Sequence, residues 1–89
     1  MLKTKKLKIL IIRFSSIGDI VLTTPVLRCL KKQLPNAEIH YLTKRSFETI
    51  LNSNPYIDQL HFLDTKLSKT IKLLKQKGFD HIIDLHHNL

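Results

Sequence analysis

The stretch "KILIIRFSSIGDIVLTTPVLRCL", residues 8–30, decides how the chain reads. Ile9 to Ile12 is an unbroken apolar run, the pattern of a strand covered on both faces in a parallel sheet. The run stops at a polar turn, Ser15-Ser16-Ile17-Gly18-Asp19, and apolar residues then recur at helical spacing: Ile20, Leu27, Leu30 and Leu34. Arg28, Lys31 and Lys32 take the other side, and Pro35-Asn36 stops the pattern. This is strand, turn, helix. Pro25 falls inside the helix and cannot donate a backbone hydrogen bond, which predicts a kink or a separate first turn.

Working outward, Ala37 to Leu42 alternates Glu38 and His40 with Ile39 and Tyr41, a second strand expected to be partly exposed on one face. A short helix follows from Ser46 to Leu51, then the turn-rich "NSNPYID", residues 52–58. Gln59 to Leu63 reads as a short third strand suited to a sheet edge. From Lys66 to Lys77, Leu67, Ile71 and Leu74 form an apolar stripe among lysines, and Gly78 ends that helix. Phe79 to Leu85 is the fourth strand. The order βαβαβαβ predicts a Rossmann-like half-fold: a parallel sheet with right-handed crossovers and strand order 3-2-1-4. The crevice beyond the carboxyl ends of strands 1 and 4 is then the switch point where ligands bind. Arg13 to Asp19 meets Asp84 to Asn88 there. After the fourth strand a doubly wound fold would turn into another helix, so one sheet face and one strand edge are expected to lie open.

Eighty-nine residues allow one small domain with a modest core. An apolar fraction of 43% against 25% charged residues argues for a folded chain rather than a disordered one. The basic start "MLKTKKLK" followed by "ILII" imitates a signal peptide, but Arg13 interrupts the apolar run too early, and no stretch approaches the ~20 apolar residues of a membrane span. The expected chain is cytoplasmic, soluble or peripheral to a membrane. Cys29 stands alone, which excludes an internal disulfide, and its apolar neighbours suggest a buried, unreactive thiol in a reducing compartment. A formal charge of +8 favours anionic partners, and the lysines of residues 66–77, with Lys3, Lys5, Lys6 and Lys8, form either a solvated face or an attraction to an acidic membrane surface. Nucleic acid is not indicated, since no recognition motif or set of stacking aromatics is present.

The turn at the switch point has a structural and a chemical reading. Ser16 as N-cap with Asp19 three residues on is a variant capping box, with the acid well placed against the helix dipole. The same placement holds Asp19 ionised at the mouth of the crevice, where it can take a proton from an attacking hydroxyl. A single glycine in "FSSIGD" makes it neither a dinucleotide fingerprint nor a phosphate loop. The turn amides with Arg13, Ser15 and Ser16 can still receive an anionic or sugar group. Across the crevice, Asp84, His86, His87 and Asn88 offer further polar groups. Adjacent histidines do not supply convergent metal ligands, so no metal site is expected. His40, His61 and His81 read as surface or partly buried structural residues.

The stretch from Lys8 through "HYLT", the later "NPYID" and the closing "FDHIIDLHHNL" together resemble the amino-terminal part of the lipopolysaccharide heptosyltransferases, glycosyltransferase family 9. The resemblance implies the amino-terminal, acceptor-side half of a GT-B architecture, two Rossmann-like domains facing across a cleft. It implies a catalytic base at Asp19, with Arg13, Ser15, Ser16, Gly18, His86 and Asn88 on the acceptor side. The acceptor would be the phosphorylated core of lipid A at the inner membrane surface. The donor, a nucleotide sugar such as ADP-heptose, would bind a carboxyl-terminal domain that these 89 residues do not contain, and transfer would invert the anomeric centre without metal or other cofactor. On that reading the 89 residues alone are inactive. A second reading is a non-catalytic basic module that binds anionic lipid or sugar phosphate. A third, a nucleotide-binding regulatory domain, lacks the glycine-rich loop it needs.

Overall fold

A computed structural model describes residues 6–14, 16–63 and 67–85. Strand β1 (Lys8–Ile12) leads into helix α1 (Ile17–Gln33), then β2 (Glu38–Thr43). A 3-10 turn, Arg45–Phe47, runs into the single-turn helix α2 (Glu48–Leu51), followed by β3 (Gln59–Phe62), α3 (Leu67–Lys75) and β4 (His81–Asp84). All strand pairs are parallel, and the sheet order is β3-β2-β1-β4, with Ile11 opposite both Tyr41 and Ile83. This is the Rossmann-like α/β arrangement expected of the βαβαβαβ pattern.

Strand alternation divides the apolar residues into two cores. Ile9, Ile11, Ile39 and Tyr41 face α1 and α2, packing on Ile20, Leu27 and Leu51. Leu10, Ile12 and Leu42 point the opposite way, onto Leu74 and Ile71 of α3 together with Phe14 and Phe79. Because β1 sits inside the sheet with a helix layer on either face, both of its alternate sets must be apolar, which is why its sequence shows no alternation.

β2 departs from its expected half-exposure: all but Glu38 are buried. His40 lies on the α3 side of the sheet, 2% exposed, with the edge of Phe79 against its ring at 4.8 Å. Its polarity is absorbed by a relay in which Nε2 lies 2.6 Å from Glu38 Oε1 and Nδ1 lies 2.8 Å from His61 Nε2. Since the Glu38 carboxylate only accepts, His40 donates to it from Nε2 and turns Nδ1 toward His61. Burial, aided by His40 and Lys77, pulls His61 down to about 4. The hydrogen bond from His40 holds the Glu38 carboxyl below its ordinary value despite partial desolvation. His61 is half-buried and His81 exposed, as a structural role requires.

Helix α1 continues through Pro25, so of the two outcomes expected there the separate first turn does not occur. Cys29 is exposed rather than buried, because it lies two residues, about 200° of helix rotation, beyond the buried Leu27. Leu34, the helix C-cap, is likewise on the surface. Helix α3 ends where expected, with Gly78 at φ 75° in the left-handed region. Leu67 belongs to that helix, and its side chain lies outside the description.

The "NPYID" segment is lashed to the sheet by its last residue. Asp58 accepts the Ile39 N–H at 2.7 Å and Lys31 Nζ at 2.6 Å, while its own N–H donates to the Ile39 carbonyl. Burial pushes this carboxyl up, but Lys31 and the Ile39 N–H outweigh it and leave it below the ordinary value. At the opposite edge β4 is exposed along its length, with Ile82 and Ile83 on opposite faces. No helix among the described residues is long and apolar enough to cross a membrane.

Two stability measurements follow from this packing. Ile39→Ala, which empties a fully buried site at the centre of the sheet, lowers the unfolding free energy by about 2–5 kcal/mol in denaturant titration, whereas Val26→Ala on the outer side of α1 changes it by under about 1 kcal/mol. The second concerns pH. As pH falls from about 6.5 toward about 4, the unfolded chain protonates His61 and the folded chain resists, so stability drops across that window, and His61→Gln flattens the drop.

Candidate functional site

The carboxyl ends of β1 and β4 lie side by side, with Ile12 opposite Asp84 and the Leu85 N–H donating to the Ile12 carbonyl at 2.9 Å. α1 begins directly above this seam. Ser16 is extended (φ −90°, ψ 179°), and its carbonyl accepts the first helical bond from the Ile20 N–H at 2.8 Å. Asp19 folds back over the start of its own helix: its Oδ2 accepts the Ser16 N–H at 3.3 Å and the Ser16 hydroxyl at 2.9 Å.

Arg13 ties three elements together at this end. Its backbone N–H donates to the Leu42 carbonyl of β2 at 3.1 Å. Nη1 donates to the Leu85 carbonyl just past β4, and Nη2 lies 2.7 Å from Asp19 Oδ2. The guanidinium is mostly sheltered, with its side chain 23% exposed, and Nε is buried with no hydrogen-bond partner among the described residues. Asp19 stands further out at 47%. The Ser16 N–H, the Ser16 hydroxyl and the Arg13 guanidinium together hold the Asp19 carboxyl below its ordinary value, so it is ionised throughout the neutral range.

A second anchor fixes the helix behind Asp19. The Tyr41 hydroxyl lies 3.0 Å from Thr23 Oγ1, and Thr23 donates to the Ile20 carbonyl at 2.6 Å. Tyr41 therefore donates to Thr23, and burial pushes its phenol upward against the counteracting Arg13 charge. The first turns of α1 are thus pinned to β2 as well as to β1 and β4.

Of the residues picked out by sequence, the structure brings Arg13, Ser16, Gly18 and Asp19 together; Ser15, His86 and Asn88 lie outside the described residues. Beyond its chain neighbours and its own helix backbone, Gly18 has no atom among the described residues within 4 Å of the place a Cβ would occupy, and its φ is not in the left-handed region. Neither folding space nor backbone conformation demands glycine there. Sequence reasoning missed the Leu85 carbonyl, which acts through its backbone and has no side-chain signature. It also missed Thr43 at the end of β2, fully buried with a hydroxyl that has no partner among the described residues. The arrangement offers an ionised, half-exposed carboxylate on a rigid helix start.

Comparison with known proteins places the whole chain. The chain is 35% identical over 85 residues to lipopolysaccharide heptosyltransferase 1 of Campylobacter coli, covering 89% of this chain and 25% of that protein. It is 36% identical over 78 residues to lipopolysaccharide heptosyltransferase 3 of Escherichia coli, covering 76% of this chain and 23% of the relative. Among solved structures, a glycosyl transferase family 9 protein from Veillonella parvula superposes with a TM-score of 0.83 at 29% identity, over 98% of this chain and 28% of its own. The chain resembles glycosyltransferase family 9 in both sequence and fold. No family model matches it. This family 9-like chain spans about a quarter of the length of the curated relatives it matches.

Gly18→Ala separates fold from function at this site. Adding a methyl group in open space near a helix start stabilises the chain by about 0.4–1 kcal/mol in thermal or denaturant unfolding, and a loss of stability would mean that the fold itself needs this glycine.

Proposed function

We propose that the chain is the acceptor-side portion of an inverting glycosyltransferase that moves a sugar from a nucleotide-sugar donor, ADP-heptose in the first instance, onto the phosphorylated lipopolysaccharide core. The observation that carries this reading is Asp19: an ionised carboxylate fixed on a helix start at the topological switch point, in a chain similar to heptosyltransferases.

In this reading an acceptor hydroxyl meets Asp19 and loses its proton as its oxygen bonds to the anomeric carbon and the nucleoside diphosphate departs from the opposite face. A carboxylate with a lowered pKa is a weak base in the ground state, but the hydroxyl becomes strongly acidic as its oxygen bonds to carbon, so the proton moves late and a weak base suffices. Arg13, Ser15, Ser16, Gly18, His86 and Asn88 surround the acceptor. The missing side chain of Gly18 leaves room for its close approach. Donor binding and charge stabilisation of the leaving diphosphate belong to a partner domain outside these residues, so the 89 residues by themselves do not turn over. The net charge of +8 suits work on a phosphorylated lipid at the cytoplasmic face of the inner membrane.

The test uses these residues joined to the remaining three quarters of the Campylobacter coli relative. Asp19→Asn lowers the transfer rate from ADP-heptose to a phosphorylated core acceptor by about 10²–10⁴-fold while the circular dichroism spectrum is retained. Undiminished turnover would remove Asp19 as the base. Gly18→Ala, despite its stable fold, weakens acceptor binding in the same assay.

A further inference from the structure

Among the described residues, the contacts of Asp19 are one-sided. The Ser16 N–H, the Ser16 hydroxyl and Arg13 Nη2 all converge on Oδ2, and none of them engages Oδ1. Arg13 is in turn held by the Leu85 carbonyl, and its backbone N–H by Leu42. A guanidinium with Nη1 on a strand-end carbonyl and Nη2 on a carboxylate is fixed in place by both, and its Nε is buried in the protein. Its planar fork also fixes the direction from which it meets each acceptor.

We propose that Arg13 is the positioning residue of this site, holding Asp19 Oδ2 from the end of β4 so that Oδ1 is the oxygen that takes the acceptor's proton. This rests on the reading of Asp19 as base, and it moves Arg13 from an acceptor ligand to a part of the base's support. It also makes the geometry of the base depend on where β4 ends, because the Leu85 carbonyl is the fixed point from which Arg13 reaches α1. The other charged groups at this end, among the described residues, are Asp84 on β4 and Lys44 and Arg45 beyond β2; Arg13 is the one in direct contact with the Asp19 carboxylate.

Two roles for Arg13 separate cleanly in the chimaeric enzyme described above. If Arg13 positions the base, Arg13→Met lowers kcat on the order of tenfold or more and moves the acid limb of the kcat–pH profile to higher pH, while acceptor KM changes by less than about threefold. The sign follows from removing a cation beside Asp19, which lets the carboxyl protonate at higher pH. Arg13→Lys keeps the charge without the fork and shifts the limb less. An acceptor KM raised by about tenfold or more, with kcat and its acid limb unmoved, would overturn the proposal and return Arg13 to acceptor binding. A carboxyl-carbon NMR titration of Asp19 in the 89-residue chain gives a readout independent of turnover. Its midpoint rises in Arg13→Met under the proposal, and a midpoint unchanged in a variant with a native amide spectrum overturns it. Should Arg13→Met fail to fold, Arg13→Lys is read in both assays by the same criteria. Failure of the base reading is distinguishable: Asp19→Asn then retains turnover whatever the titration shows.

Discussion

Everything at the functional end of this domain hangs on one side chain, that of Arg13. β1 must end in a residue that can leave the buried sheet, and Arg13 does so while its backbone still bonds to β2. Its guanidinium then joins the end of β4 to the start of α1. Parallel strands share no hairpin to hold their ends in register, so a cross-strand clamp at the carboxyl end substitutes for one. The carboxylate on which the clamp closes is the same group that meets substrate in the proposed reaction. Structural and chemical roles therefore coincide at Asp19 rather than compete.

Opposite the clamp, the amino-terminal end of the sheet is closed by a different device. Asp58 joins Lys31 of α1 to the backbone of β2, and Asp80 accepts the Lys8 N–H at 2.8 Å at the start of β1. Both carboxylates here serve the fold, each satisfying a backbone donor at a strand end. The contrast with Asp19 is one of partners and of place in the fold. Asp58 Oδ2 takes a lysine and a sheet amide, whereas Asp19 Oδ2 takes the start of its own helix and the Arg13 guanidinium at the crevice.

The fold was legible because its signals are periodic. Ile9 to Ile12 reads as a doubly covered strand and α1 as a helix from its cap onward, and the alternation of elements is enough to order the sheet. Properties that depend on register were not legible. His40 looks like the polar member of an alternating strand, and only its pairing with Glu38 on one side and His61 on the other explains how it can be buried. Cys29 sits among apolar residues in the sequence, yet helical rotation turns it outward. The commitment of Arg13 to Leu85, seventy-two positions away, is a contact between a side chain and a backbone carbonyl that no local pattern encodes. Asp19 could be picked out early because a cap position and a switch point are both readable from sequence; the clamp that holds it could not.

In the proposed reaction a phosphorylated sugar acceptor meets this domain at the crevice between the ends of β1 and β4. Amide chemical-shift mapping with a phosphorylated core sugar tests it directly. Saturable shifts are expected at Ser16 to Ile20, at Arg13 and at Leu85, with the lysines of α3 unaffected. Shifts confined to α3 and the neighbouring β3 edge, leaving the start of α1 silent, would contradict it.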